Sequence, residues 1–370
     1  MKLSHFTFVM TDDCNFNCTY CYQKKGKEYL DVITAKKAVD FFFPFLTREI
    51  SINFYGGEPL LAFAGIKEIV RHIQAKNRNG KKTIHYSIST NGSLLEDTVL
   101  EFLNRNKFSV LLSFDGFAQE ISKKKGSFAH SVSVMEKLIA SPDIGLETNS
   151  VFTAETVGNL SRSAGFIMER GVPTVNLSFS SIQPWDKSAL VRLRAELSSL
   201  RKHCLSFYRK TGTIPVANFR KSSSQRVFGC YAGKDRMDLS PDGDLWGCCL
   251  FFDYFKDTKD SRAHLKYSFG SLESFIENHE RVYPEILENY SDLRMEFFFT
   301  PHHLCALCDE MMDCVVCPVD AALGSSFIGK IPDWVCRIRR ISREEKNHFL
   351  KDLKCIPPRD KRNAASHYYS

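Results

Sequence analysis

Cys14-Asn15-Phe16-Asn17-Cys18-Thr19-Tyr20-Cys21, just after a short apolar segment, is the stretch that decides how this chain is read. Its CxxxCxxC spacing can bring three thiolates onto one small loop. Three thiolates are one short of a closed structural zinc site, and a catalytic zinc usually takes histidine as well. An iron–sulfur cluster held by three thiolates keeps one iron open for a further ligand. The plain alternative is three ordinary buried cysteines or a fragment of a zinc site.

Outward from this loop, residues 3–180 alternate short apolar runs with amphipathic stretches. The apolar runs predict strands at Phe6–Met10, Ile50–Phe54, Thr83–Ser89, Ser109–Phe114, Leu146–Phe152 and Thr174–Phe179. Helical periodicity predicts helices at Ala35–Leu46, Ile66–Lys76, Leu94–Asn104, His130–Ala140 and Thr156–Arg170. Six βα units imply an α/β fold with a parallel sheet, because each parallel crossover needs a connection of this length. Ligands in such sheets sit at the carboxyl ends of the strands, and the polar motifs fall there.

Tyr55-Gly56-Gly57-Glu58-Pro59 follows the second predicted strand. Its glycines let backbone approach a ligand, and Glu58 offers a carboxylate for an ammonium group. Ser89-Thr90-Asn91-Gly92 ends the third, with Ser89 and Asn91 able to hydrogen-bond a ribose or carboxylate. It also reads as a turn followed by Ser93 as a helix cap. Ser113-Phe114-Asp115-Gly116 ends the fourth, and Asp115 reads equally as a substrate-facing carboxylate or a turn residue. Asn149 and Asn176 are further polar candidates on the fifth and sixth.

The second half loses the βα rhythm and gains cysteines. Cys230 is followed by Gly243 and Cys248, then by Cys305, Cys308, Cys314 and Cys317, and finally by Cys336. Written as spacings this is C-x12-G-x4-C, then C-x2-C-x5-C-x2-C, then C. Soft ligands this dense bind metal, since unpaired thiols in such number are a liability. Cys249, directly after Cys248, could be a fourth ligand, a substrate-facing thiol or a bystander. Cys204 and Cys355 stand outside the pattern and read as structural.

CNFNCTYC, followed in order by GGEP and SxDG, resembles the signature of radical S-adenosylmethionine (radical SAM) enzymes. The resemblance implies a partial (β/α)6, TIM-like barrel. It implies that Cys14, Cys18 and Cys21 hold a 4Fe–4S cluster whose open iron binds the amino and carboxylate groups of S-adenosyl-L-methionine. Gly56, Gly57, Glu58 and Pro59 would receive the amino group. Tyr20 would pack near the adenine, and Ser89, Asn91 and Ser113 would contact the rest of the cofactor. The C-terminal array resembles the small, Cys-rich SPASM extension, which binds two auxiliary 4Fe–4S clusters, making three in all. By position, Cys305, Cys308, Cys314 and Cys336 would close one, and Cys230, Cys248 and Cys317 would hold the other. The spacing from Cys314 to Cys317 is one residue shorter than is usual in the family, which leaves the partition open. Zinc is the alternative for the Cys305–Cys317 stretch.

With 370 residues, 43% hydrophobic and 25% charged, the chain has an ordinary soluble composition and room for two domains. The expected division is a barrel with bridging helix over 1–212, an auxiliary-cluster domain over 222–340 and a basic helix and tail over 341–370. No window approaches the roughly 18 apolar residues of a membrane span, and no signal-peptide pattern opens the chain, so a cytoplasmic protein is expected. Of the net charge of +7, residues 336–363 carry ten Lys/Arg against four Asp/Glu. That segment reads as a solvated helix and frayed tail, or else as a basic arm. No nucleic-acid-binding motif accompanies it.

The resemblance implies an oxidoreductase that cleaves S-adenosyl-L-methionine reductively to a 5′-deoxyadenosyl radical. Relatives with a SPASM extension modify peptides or proteins, so the expected function is maturation of a ribosomally made peptide by a thioether or carbon–carbon crosslink. The partners would be a precursor peptide or protein, a reductant such as flavodoxin or ferredoxin, and a separate leader-binding protein. One alternative is an anaerobic sulfatase-maturing enzyme forming formylglycine. Those enzymes place an aspartate directly after the G-x4-C cysteine; here Cys249 stands there and Asp253 lies only nearby. The other is an iron–sulfur electron-transfer protein with no catalytic role.

Overall fold

The computed structural model describes residues 1–221, 232–291, 293, 305–309, 314, 316–325 and 328–356. The first half is the expected βα succession. Strand β1 (Leu3–Val9) is followed by α1 (Val32–Phe42), β2 (Leu46–Tyr55), α2 (Phe63–Lys76), β3 (Thr83–Thr90), α3 (Asp97–Arg105) and β4 (Ser109–Ser113). A four-residue α4 (Gln119–Ser122) precedes α5 (Ser127–Ile139), β5 (Gly145–Phe152), α6 (Leu160–Glu169) and β6 (Thr174–Phe179). The six strands pair in parallel in the order β6-β5-β4-β3-β2-β1. This is the parallel-sheet α/β core that the sequence pattern predicts.

Period-two alternation sorts the strand residues onto two faces. In β2, Ile50, Ile52 and Phe54 are buried beneath the helices. Phe54 stacks with Phe8 of β1 and with Phe108, each ring burial contributing about 1.5–3 kcal/mol. The opposite face is polar and half-exposed: Asn53 and Tyr55 on β2, Ser87 and Ser89 on β3, Ser113 on β4, Asn149 on β5, Asn176 and Ser178 on β6. A polar face is what a ligand cavity needs and what a packed barrel core would not carry.

Two boundaries differ from the sequence reading. The helix predicted to run to Leu46 stops at Phe42, because Pro44 cannot continue it; Phe43–Phe45 make one 3-10 turn and Leu46 opens β2. Ser93 caps no helix: α3 begins at Asp97 after Glu96.

The bridging segment is a 25-residue helix, α7 (Lys187–Thr211), capped by Asp186 and ended by Gly212 at φ +75°. Beyond it the sheet resumes. Strand β7 (Arg236–Leu239) pairs in parallel with β1 on its free edge, and β8 (Asp244–Trp246) and β9 (Ser268–Ser271) follow antiparallel. The described sheet is therefore nine strands wide. Helices α8 (Cys249–Phe255), α9 (Arg262–Tyr267) and α10 (Leu272–Ser291) pack an aromatic core of Phe251, Phe255, Tyr267 and Tyr290. Helix α11 (Pro318–Ser325) docks on the end of β6, where Ser181 donates to the Asp320 carboxylate at 2.9 Å.

Helix α12 (Asp333–Lys354) gives the basic segment a docked helix in place of a solvated one. It lies against α7, buries Val335, Ile338, Ile341 and Phe349, and pairs Arg201 with Glu345 at 3.1 Å and with Asp352. Residues 357–370 fall outside the described ones. No helix among the described residues is long and apolar enough to cross a membrane.

Candidate active site

The loop after β1 holds Cys14, Cys18 and Cys21, each half-buried and none in a disulfide. Burial pushes all three thiols up, Cys18 to about 11, and their mutual charges add to the effect for Cys14 and Cys18. A bound cation would stabilise the thiolates that burial disfavours. The turn after β2 cradles this loop. Gly57 N–H donates to the Thr11 carbonyl and Glu58 N–H to the Asp13 carbonyl, both at 2.8 Å. A Cβ on Gly56 would lie 2.3 Å from Thr11 O, and one on Gly57 2.1 Å from Asp13 O. The glycines are thus required for close backbone approach, and this thiol set with its cradle fits a three-thiolate cluster.

Glu58 is wholly enclosed. One carboxylate oxygen accepts from Leu60 N–H (3.1 Å) and Thr90 Oγ1 (2.7 Å), the other from Asn91 N–H (2.8 Å). Burial still raises its pKa to about 7. The carboxylate that the sequence offers to an ammonium group is spent bracing β2 to β3, with Pro59 starting the next turn. Asn91 reaches toward the cysteine loop instead: its amide donates to Asn15 Oδ1 at 2.9 Å and lies 4.0 Å from Cys14 Sγ. Ser89 and Ser113 sit on the polar face of the sheet.

Asp115 requires a correction. It is fully buried and faces no open space. Tyr20 Oη and Ser122 Oγ donate to Oδ2 (2.7 and 2.9 Å), Val151 N–H donates to Oδ1 (2.9 Å), and Lys123 Nζ lies 3.3 Å from Oδ1. A carboxylate with this many donors is an anchor. It fixes Tyr20, and so the cysteine loop, to the ends of β4 and β5.

The C-terminal cysteines fall into two groups. Cys305 is buried, and the charges of Cys314, Cys336 and Cys308 push its thiol up beyond the effect of burial, to about 11. Cys336 feels Cys308 and Cys314 in turn. For Cys317, burial first, and among the cysteines the charge of Cys248, raises the thiol to about 12. Cys230 lies outside the described residues. Cys248 closes the extended segment after β8, and its neighbour Cys249 starts α8. Their sulfurs and an Asp238 carboxylate oxygen lie within 4.8 Å of one another.

Helix α8 also carries Asp253, which is 3% exposed with one carboxylate oxygen unpartnered. Burial raises it to about 7. Its charge is felt by Cys21, and with that of Cys249 by Tyr22 and Tyr55, whose hydroxyls hydrogen-bond to each other. Asp253 thus lies near enough to Cys21, and Asp253 and Cys249 near enough to Tyr22 and Tyr55, for their charges to act there. Cys204 is buried against Met168, and Cys355 is exposed at the end of α12.

Sequence reasoning missed Tyr22, Tyr55, Lys123, Asp238 and Lys256. Tyr55 was signalled by alternation in β2, which puts it on the polar face with Asn53. Lys123 lies in the run Lys123-Lys124-Lys125 and carried no signal of burial.

Comparison with known proteins follows this geometry. Residues 8–162 match the radical SAM superfamily model. An uncharacterized protein of Methanocaldococcus jannaschii is 28% identical over 66% of this chain and 85% of its own length. The cysteine-type anaerobic sulfatase-maturating enzyme of Clostridium perfringens is 32% identical over 28% of this chain and 30% of its own. The subtilosin biosynthesis protein AlbA of Bacillus subtilis is 24% identical over 67% of this chain and 55% of its own. Among solved structures, native anSMEcpe with bound AdoMet and Cp18Cys peptide superposes with TM-score 0.73 at 18% identity, over 96% of this chain and all of that one. At that identity the likeness shows the fold alone.

Proposed function

We propose that this chain, whose residues 8–162 match the radical SAM superfamily model and whose relatives include a sulfatase-maturating enzyme and a subtilosin biosynthesis protein, oxidatively modifies a ribosomally made peptide, installing a thioether or carbon–carbon crosslink. Cys14, Cys18 and Cys21 would hold the cluster that binds S-adenosyl-L-methionine. Cys305, Cys308, Cys314 and Cys336 would hold one auxiliary 4Fe–4S cluster, and Cys230, Cys248 and Cys317 the other. Bound there, the first cluster and S-adenosyl-L-methionine supply one-electron hydrogen abstraction from an unactivated carbon.

The observation that carries the reading is the placement of Asp253 and Cys249 beside the cysteine loop. Oxidising a C–H or S–H bond releases a proton, and the unpartnered oxygen of Asp253 would accept it. The polar residues Asn53 and Asn149 would hydrogen-bond the peptide and Ser89 the cofactor, and the braced Tyr20 would keep the loop fixed while substrate enters. The expected setting is the cytoplasm, with flavodoxin or ferredoxin as reductant and a separate leader-binding protein.

Asp253 also favours the second reading, formylglycine formation on a sulfatase, since it supplies a carboxylate that Cys249 cannot. One experiment separates the two. The chain is reconstituted anaerobically with iron and sulfide, reduced, and given S-adenosyl-L-methionine with candidate peptides. A crosslinked product lacking a pair of hydrogens supports the first reading, and an aldehyde in place of a thiol or hydroxyl supports the second. No release of 5′-deoxyadenosine from the loaded protein would overturn both in favour of electron transfer.

A further inference from the structure

Adjacent cysteines on a continuous strand point to opposite faces and cannot serve one centre. At Cys248 and Cys249 the chain changes conformation between them. Cys248 is extended at φ −163°, ψ 142°, and Cys249 is the first residue of α8. The turn brings both sulfurs to one side, within 4.8 Å of each other and of an Asp238 carboxylate oxygen. Both sulfurs can therefore be offered to one centre.

Asp238 holds the arrangement. Its carboxylate is fully buried, Oδ2 accepts the Cys249 N–H at 2.6 Å, and Oδ1 accepts from Arg236 Nε at 3.3 Å. The first backbone donor of α8 is thus tied down from β7, which fixes the direction of the Cys249 side chain. Arg236 brings a cation to a place where two thiolates and a carboxylate would otherwise repel. No disulfide joins the pair. A bystander cysteine would not need this support.

We propose that Cys249 is a metal ligand beside Cys248, on the side of that centre facing Tyr22 and Tyr55, with Asp238 as its positioning residue. The proposal rests on the reading of Cys248 and Cys317 as auxiliary ligands. Its consequence is that a substrate thiol entering from the barrel side finds this coordination position already taken.

The test uses the full-length chain reconstituted anaerobically with iron and sulfide, as wild type, Cys249→Ala, Cys249→Ser and Cys248→Ala. Iron per chain is counted, and three-iron clusters, which form on mild oxidation where an iron lacks a thiolate, are quantified by low-temperature EPR. Wild type should give this signal from the Cys14/Cys18/Cys21 site alone, and Cys249→Ala should about double it or lose the auxiliary iron outright. In a second measurement on wild type, iodoacetamide should spare Cys249 in the loaded protein and label it after chelation. Equal iron and signal in Cys249→Ala, or equal labelling with and without metal, overturns the proposal. If Cys248→Ala loses iron while Cys249→Ala does not, only the proposal fails. If neither loses iron, the underlying auxiliary-site reading fails with it.

Discussion

Lys123 Nζ lies 3.3 Å from Asp115 Oδ1, with side chains 2% and 0% exposed, and the pair is joined to the cysteine loop through Tyr20. Lys123 also donates to the Ser113 carbonyl at 2.7 Å, so one ammonium ties the end of β4 to α4. Breaking a buried pair leaves a charge without its partner, at a cost of about 3–5 kcal/mol. Lys123→Ala should lower unfolding stability by that amount, and Tyr20→Phe by about 1 kcal/mol for one lost hydrogen bond. Urea unfolding of the metal-free chain reads both. A loss under about 1 kcal/mol for Lys123→Ala would show that the hydrogen bonds from Tyr20, Ser122 and Val151 hold Asp115 without the ammonium.

Gly57→Ala should abolish cluster assembly rather than merely weaken it. The added Cβ meets the Asp13 carbonyl oxygen at 2.1 Å and the Cys14 Cβ at 3.1 Å, and neither is the far end of a flexible side chain. The cysteine loop must move away from the turn, and Cys14 with it. Gly56→Ala carries an additional backbone strain at φ +146°. Iron content after reconstitution is the measurement. Full iron in Gly57→Ala would show that the loop tolerates displacement.

Glu58 and Asp253 set a pH dependence whose sign follows from burial. Each carboxyl is raised to about 7, from 4.5 and 3.8 respectively. The unfolded chain releases these protons at lower pH than the fold does, so the native state binds more protons between the ordinary carboxyl range and about pH 7. Stability of the metal-free chain should therefore fall as pH rises through that window and level off above it, by about 3–4 kcal/mol per group at most. Asp253→Asn should remove part of the slope. Denaturation at several pH values checks this, and a slope unchanged in Asp253→Asn would place its carboxyl in contact with water.

The strand positions and the first cysteine loop were legible because their signals are local. Period two marks Ile50, Ile52 and Phe54, and CxxxCxxC needs only eight residues. What escaped depends on distant pairing. Strands β7 to β9 have three or four residues each, too short for a periodic signal, and β7 is defined by pairing with β1 over 200 residues away. Asp115 was legible as important but not in its role, since a turn aspartate and a buried anchor look alike until Lys123 and Tyr20 are placed against it. The basic run after Cys336 concealed a docked helix, because its apolar residues Ile338, Ile341 and Phe349 are outnumbered by charges on the opposite face.

Lys256, just past α8, clasps the barrel. Its ammonium pairs with Asp12, which is 5% exposed, and donates to the Lys24 carbonyl at 2.6 Å, while Lys24 pairs with Asp257 at 2.7 Å. Asp12 in turn accepts from Glu28 N–H at 2.8 Å, so the clasp holds the segment that leaves Cys21. Lys256→Ala should cost about 3 kcal/mol by stranding the buried Asp12 carboxylate, and Lys256→Arg should recover most of it. Hydrogen exchange should quicken at residues 22–28 while β7 and β8 stay protected. The Lys256 charge also lowers the Asp253 pKa against the effect of burial, so its removal should move the rising limb of the pH–activity profile upward. That shift should vanish in the Asp253→Asn background. A profile that moves equally with and without Asp253 would assign it to another group and leave Lys256 only its mechanical role.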